Sequence, residues 1–428
     1  MQLVIYVVKS GDSIYSIARR HGMNPETVAS DNALAEPSKL AVGQALVLMT
    51  DTVPHTVTQG QSLYSIAQAY GITLAQLQAA NPEITNPNRL TVGQVISVPV
   101  PSKKHGAIQV NGYAFPNIST DVLKKTLPYL TYLSIFSHQV RPDGSLAPIN
   151  DEALIQSARE ARVAPMLVIT NIEEGASFSS DLAHTILTDA QVRKTLIDNI
   201  VSTLQAKNYY GLDIDFEYIL PEDGDAYDRF LRMVTERLHP LGFIVTTALA
   251  PKLSADQSGL LYQAHHYPVH GRLADHVILM TYEWGYTYGA PMAVSPINQV
   301  RKVLNYAVTV IPSEKILMGV PNYGYDWTLP YRPRTAARTV SNTQATELAI
   351  RRNAAIQFNT ESQAPFFHYN DDAGTRHVVW FEDARSMQAK LRLVDVYNLG
   401  GVSYWTINRF FPQNWLVLSS MYTTQKLL

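Results

Sequence analysis

The sequence predicts an α/β fold: a (β/α)8 barrel with a small α+β insertion, preceded by two short βααβ units. Three observations carry this expectation. After residue 107, eight short apolar runs alternate with amphipathic helical stretches, the pattern of repeated βα units around a parallel sheet. A stretch near the N-terminus is written twice, starting at Tyr6 and again at His55. The C-terminal span is longer than a plain barrel of about 250 residues needs, and the surplus sits between the seventh and eighth runs.

The repeat reads YVVKSGDSIYSIARRHGMNPETVASDN in its first copy and HTVTQGQSLYSIAQAYGITLAQLQAAN in its second. Both copies close on Val-Gly-Gln, at Val42 to Gln44 and Val92 to Gln94. A unit this small has little core, so it must fold locally. In the first copy Tyr6 to Val8 reads as a strand and Gly11 as a turn. Ser13 then precedes Ile14, Ile17 and Ala18 at helical spacing, and Gly22 stops that helix. A second helix over Pro25 to Asn32 and a strand over Ala45 to Met49 complete the unit. The units are placed at 1–50 and 51–100. The stretch PVPSKKHG has the Pro and Lys content of a connector, which places the linker at 101–106 and the large domain at 107–428.

Barrel strands are expected at Ile108 to Gly112, Tyr132 to Phe136, Ala164 to Ile169, Gly211 to Phe216, Phe243 to Ala248, His276 to Tyr282, Ile316 to Pro321 and Gly401 to Trp405. Helices are expected at Asp151 to Ala161, Asp189 to Gln205, Ala226 to Leu238 and Ile297 to Val310. The surplus, at about 328–383, carries a helix over Thr343 to Asn353 and short β runs ending in HVVWFED. In TIM-type barrels, active sites lie at the C-terminal ends of the strands.

The fourth run ends in the stretch GLDIDFEY. Side chains alternate along a strand, so Asp213, Asp215 and Glu217 share one face while Leu212, Ile214 and Phe216 share the other. Three buried, unpaired carboxylates would cost more than a fold of ordinary stability has to spare. The row must therefore face solvent, hold a hard cation, or share protons in a cleft. The apolar opposite face and the preceding Tyr209 and Tyr210 argue for burial, and the Gly and Asn ligands that calcium loops interleave are missing. What remains is proton chemistry: carboxylates two positions apart repel, which keeps at least one protonated near neutrality. A protonated acid beside an ionised one is the equipment that cleaves a glycosidic bond.

That stretch resembles the DxxDxDxE signature of glycoside hydrolase family 18, with Asp213, Asp215 and Glu217 as its last three acids. Tyr210 stands where the first Asp usually falls, and Phe216 where many members carry Trp. The resemblance implies a substrate-assisted, retaining hydrolysis of N-acetylated sugars with Glu217 as general acid/base. It makes Asp215 the carboxylate that holds the acetamido group, Asp213 its buried partner, and Tyr282 the hydroxyl on the acetamido oxygen. Trp405 would floor the sugar subsite; Glu283, Tyr323 and Asn322 are further substrate-binding candidates, while His138 reads as a hydrogen-bonded loop residue. Glu283 follows Tyr282 where chitinases usually have Asp, and MLVITNIEEG replaces their strand-three SxGG. These departures and the repeat look like the bacterial branch of spore cortex-lytic N-acetylglucosaminidases.

The repeated unit resembles the LysM module, through Gly-Asp-Ser or Gly-Gln-Ser, Tyr-Ser-Ile-Ala, and the Asn ending the second helix. The resemblance implies binding of N-acetylglucosamine polymers such as peptidoglycan or chitin. The implied glycan loops hold Gly11, Asp12, Ser13 and Asn32 in one copy and Gly60, Gln61, Ser62 and Asn81 in the other. Two copies would raise avidity on a polymer.

Composition sets the remaining bounds. Net charge is -2 and charged residues are 16%, which argues against a nucleic-acid partner. There is no cysteine, so disulfides and thiolate metal sites are out, and no metal or other cofactor is expected. The N-terminal MQLVIYVVKSGDS shows no Sec-type signal, and no run is long enough to span a bilayer. The expectation is a monomeric wall-lytic N-acetylglucosaminidase of the spore coat, cortex or cell wall. The alternatives are a chitinase or chito-oligosaccharide hydrolase with the same machinery, and a non-catalytic wall-binding coat protein.

Overall fold

The computed structural model describes residues 2–87, 89–99 and 104–428, so positions 101–103 of the expected linker lie outside the described residues. The first unit is β1 (Gln2–Val7), α1 (Ile14–Arg20), α2 (Pro25–Asp31) and β2 (Ala45–Thr50). The second is β3 (Thr52–Thr56), α3 (Leu63–Ala69), α4 (Leu74–Ala79) and β4 (Val95–Pro99). In each, the outer strands pair antiparallel. The helices α1 and α3 start identically, because Ser13 and Ser62 each accept from a backbone N–H three residues on and Ser16 and Ser65 reach back, a capping box. Ile14, Ile17, Val28 and Leu46 fill one small core, and Leu63, Ile66, Leu77 and Ile96 the other.

The barrel strands begin with β5 (Gly106–Ala114), β6 (Tyr132–Gln139), β7 (Ala164–Thr170) and β8 (Gly211–Asp215). They continue through β9 (Ile244–Leu249), β10 (His276–Leu279) and β11 (Ile316–Pro321). The insertion sheet holds β12 (Gly324–Leu329), β13 (Arg338–Val340), β14 (Gln357–Asn359), β15 (Ala364–Asn370) and β16 (Arg376–Trp380). Then β17 (Gly401–Trp405) runs parallel to both β11 and β5 and closes the barrel. Between barrel strands lie α5 (Thr120–Thr126), α6 (Glu152–Glu160), α7 (Ser180–Thr188), α8 (Ala190–Lys207), α9 (Gly224–Leu238), α10 (Tyr267–Leu273) and α11 (Ile297–Ala307). The insertion carries α12 (Asn342–Arg351), and α13 (Ala384–Tyr397) and α14 (Pro412–Met421) flank β17. A last short strand, β18 (Tyr422–Thr424), pairs with the start of β5; three residues without alternation carry no signal, and the sequence reading missed it.

Two strands stop earlier than their apolar runs predict. The fourth ends at Asp215 rather than Phe216, and the sixth at Leu279 rather than Tyr282. After Leu279 the backbone tightens, with Thr281 N–H donating to Leu279 C=O and Tyr282 N–H to Met280 C=O. Glu217, Tyr282 and Glu283 therefore stand on loops above the strand ends. The insertion also starts sooner than expected, because β12 leaves β11 after only two residues. His138 lies on β6 rather than in a loop, bonded to Ala147 C=O and Asp151.

The first unit is docked on the barrel. Val47 belongs to the main core, with Leu3, Ile5 and Met49 packed against it. Gln413 on α14 donates to Asn32 Oδ1 at 2.8 Å and to Ala45 C=O at 2.9 Å. Arg385 donates to Gly43 C=O at 3.1 Å, and Ile356 N–H donates to Val42 C=O at 2.8 Å. Gly43, at φ +82, sits so close that an added Cβ would lie 1.8 Å from the Ile356 carbonyl oxygen. Its counterpart Gly93 has φ +87 and open space in front of it. Both glycines supply a backbone that other residues resist, but only the first meets a second domain. We expect G43A to lower stability by about 2–3 kcal/mol and G93A by about 1 kcal/mol, read as two thermal melts; equal losses would refute tight docking of the first unit.

Candidate active site

The floor of the site is a polar layer inside the barrel. Asp213 on β8 is fully buried; Ser134 Oγ on β6 lies 2.9 Å from its Oδ2 and 3.0 Å from Asn111 Oδ1 on β5. Asn111 in turn donates to Ser403 Oγ on β17 at 3.0 Å. Inward-facing residues of four strands thus form one hydrogen-bonded layer, which is how a charged row is tolerated in a core. Burial raises the Asp213 pKa, opposed by the nearby hydroxyls of Tyr113, Thr246 and Ser134.

Asp215 lies above this layer at the end of β8. It is pushed well above the usual carboxylate range, by burial first and then by the charges of Glu217 and Asp213. Its Oδ1 is buried with no hydrogen-bond partner among the described residues. Glu217 comes next and opens onto the cleft. Its pKa is raised to about 7 by loss of water and by the charge of Glu283, so near neutrality it is poised between acid and base.

These acids line a cleft of about 440 Å³ together with Tyr113, Phe136, Phe178, Tyr218, Tyr262, Met280, Tyr282, Glu283, Tyr286 and Trp405. Trp405 is held by edge contacts from Phe136 at 4.8 Å and Tyr113 at 5.4 Å between ring centroids. The Tyr282 hydroxyl is surrounded by carboxylates, and burial, Asp215 and Glu217 together push its pKa well up. Glu283 sits on the exposed rim, yet its carboxylate turns inward to accept from the Tyr323 and Tyr325 hydroxyls. Loss of water on that side raises its pKa, against the lowering effect of the two hydroxyls. Tyr218 and Glu283 both line this cleft at positive φ, 54° and 67°, a conformation non-glycine residues adopt sparingly and often at working sites.

Removing the Glu283 charge removes one of the two causes that hold the Glu217 pKa up. E283Q is therefore expected to move the alkaline limb of the kcat/KM profile to lower pH, toward an ordinary glutamate. An unchanged limb would show that Glu283 does not act on Glu217.

The structure brings Asp213, Asp215, Glu217, Tyr282, Glu283 and Trp405 together. It places Tyr323 behind Glu283 rather than in the lining. Asn322 is a correction: its amide is buried and donates to Thr406 and Arg409 carbonyls, bracing the loop after β17 instead of facing the cleft. Tyr210 packs with Tyr132, Met166 and Ile244 at the opposite end of the barrel. Phe216 stacks on Phe230 at 5.8 Å and Tyr227 at 6.0 Å, under the helices. Sequence reading missed Asn111, Ser134 and Ser403, although each occupies an inward position of an expected strand. It also missed His265, whose Nδ1 accepts from Ala250 N–H and whose Nε2 donates to Phe216 C=O at 3.0 Å. Burial lowers the His265 pKa to about 4, so the ring stays neutral in that bridge.

The model of the glycosyl hydrolases family 18 matches residues 113–409, and the LysM domain model matches residues 6–48 and 55–99. The chain belongs to family 18. Relatives align end to end: the cortical fragment-lytic enzyme of Bacillus cereus is 42% identical, and that of Bacillus subtilis 41%, each over 99% of both chains. The crystal structure of the spore cortex-lytic enzyme SleL of Bacillus megaterium superposes with a TM-score of 0.92 at 39% identity, over 99% of both chains. This family 18 chain is thus a glycosidase with two LysM domains, and it binds peptidoglycan-type N-acetylglucosamine polymers.

In the LysM domains, Gly11 and Gly60 turn at φ +84 and +83 with open space in front of them. Ser13 and Ser62 are helix caps. Asp12 accepts from Tyr6 and the Lys9 N–H, and Gln61 from Thr58 N–H beside His55. Asn32 and Asn81 are buried, each tying its second helix to its last strand through Val28 and Val47, or Leu77 and Ser97. Both donor hydrogens of each amide are spent on these internal bonds.

Proposed function

We propose that this chain is an N-acetylglucosaminidase acting on spore cortex peptidoglycan or its fragments, with Glu217 as general acid/base. The observation that carries the reading is Glu217 at the cleft, its pKa near 7, directly above a buried Asp215 and beside the Tyr282 hydroxyl. The end-to-end relatives that cleave cortical fragments support the polymer.

The chemistry follows the family's substrate-assisted exception to the two-carboxylate rule. The sugar's acetamido oxygen attacks the anomeric carbon as Glu217 gives its proton to the leaving glycosidic oxygen and that C–O bond breaks. Asp215 faces the acetamido N–H and balances the positive oxazolinium ring, while Tyr282 donates to the acetamido side. Glu217, now ionised, takes a proton from the water that opens the ring, which restores the acid. The net change is one water added across one glycosidic bond with retention. Trp405 supplies an apolar floor for the sugar face.

In this reading 1–50 and 51–100 anchor the chain, 101–106 connects, and 107–428 is the catalytic unit with its insertion at about 328–383. One chain completes the barrel and the cleft lining, in keeping with a monomer working at the spore cortex or wall. Among the described residues no helix is long and apolar enough to cross a membrane. The deciding experiment is digestion of purified cortex fragments and chitin side by side, with product masses. New reducing-end N-acetylglucosamine from cortex fragments is expected; turnover of chitin alone would favour the chitinase alternative.

A further inference from the structure

The geometry points to Asn171 as a positioning residue for Glu217. This rests on Glu217 being the general acid/base. Asn171 follows the end of β7, where the sequence reads ITNIEEG, and it is completely buried. Its amide grips the main chain of Glu217 on both sides: Oδ1 accepts from Glu217 N–H at 2.9 Å, and Nδ2 donates to Glu217 C=O at 2.8 Å. The remaining Nδ2 hydrogen goes to Ser179 C=O at 3.0 Å, and Ser179 N–H returns to Asn171 C=O at 2.9 Å. Every hydrogen on the side-chain amide is therefore used.

The grip falls where it is needed. The fourth strand stops at Asp215, so no sheet pairing holds Glu217. Its neighbour Tyr218 turns at positive φ, with its carbonyl held by Ser180 Oγ at 2.5 Å. The preceding Phe216 carbonyl is held by His265. Asn171 replaces the missing ladder with two hydrogen bonds to the two peptide groups flanking Glu217, and it ties that residue to the loop running from Asn171 to Ser180. A carboxyl that must meet a glycosidic oxygen gains from such a rigid seat, because displacement of about 1 Å costs about 100-fold in rate.

Asn171 touches no substrate atom, so its loss should lower kcat and spare KM. The test uses the full chain and 4-nitrophenyl N,N′-diacetylchitobioside as substrate. N171A is expected to lose about 10- to 100-fold in kcat, with KM within about threefold of the parent. N171D keeps the volume and the acceptor for Glu217 N–H. Its second oxygen faces the Glu217 and Ser179 carbonyls, so it sits there protonated and donates one bond in place of two, and it should fall between parent and N171A. Asn199 on α8 also donates to a backbone carbonyl, Gly144 at 2.9 Å, but outside the barrel; N199A is the stability control and should keep the parental kcat. A parental kcat in N171A, or an equal loss in N199A, overturns the assignment. Should N171A fail to fold, N171D is read in its place, and failure of both makes Asn171 a stability residue and overturns the proposal. E217Q separates the two readings: if it keeps parental activity, the Glu217 role fails; if it is dead while N171A is unimpaired, only the positioning role fails.

Discussion

E217Q is expected to lower turnover by about 10³-fold or more while binding to peptidoglycan survives. A general acid contributes about 10²–10⁴-fold, and the other carboxyls of the described cleft are placed differently: Asp215 lies at the end of β8 and Glu283 is turned toward Tyr323 and Tyr325. Glutamine keeps the shape, so the loss is one of proton transfer. The LysM domains have their own cores and should hold the polymer as before, which a pull-down on purified sacculi would measure. The same variant carries a stability signature. Glu217 moves from 4.5 to about 7 on folding, so the folded state binds its proton more tightly than the unfolded chain. Stability from this group is full below about pH 4.5 and falls as pH rises to about 7. The difference amounts to about 3 kcal/mol at most. E217Q should therefore match the parent in melts at pH 4 and exceed it at pH 8. Parental turnover in this variant would end the hydrolase account.

D215N should lower kcat by about 10²–10³-fold with little change in KM. Asp215 has a buried, unpartnered oxygen at the cleft, and its pKa is held up by burial and by the neighbouring acids. A carboxyl that faces a developing positive ring, shielded from water, is drawn toward its ionised form as that charge appears, so it is worth far more in the transition state than in the ground state. Asparagine has the same shape as the protonated acid and adds no charge to the core, so the fold should hold. Steady-state kinetics on cortex fragments measures the split. A kcat within about threefold of the parent would remove Asp215 from the chemistry and leave it a packing residue.

Much of this was legible because it is written at short range. The repeat needs only comparison of two stretches, and the helix after Ser13 follows from the local spacing of Ile14, Ile17 and Ala18. The acid row follows from strand alternation, and the barrel from eight apolar runs. The placement of Asn322 was not legible: its strand position suggested the rim, but the direction of the side chain depends on where Thr406 and Arg409 come to lie. His265 gave no sign either, because its partner Phe216 is separated from it by a strand and a helix.

Residue order alone determined the element types, the doubled anchor and the identity of the acids, since each rests on local period and on the cost of burying charge. Tertiary structure decided which groups hold those acids and how strongly they are shifted. It gave Glu217 its neighbour Glu283 and its seat on Asn171, and it docked the first LysM domain while the near-identical turn of the second stays open. Those outcomes depend on distances between segments remote in the chain, and electrostatic and hydrogen-bond energies change steeply over a few ångströms.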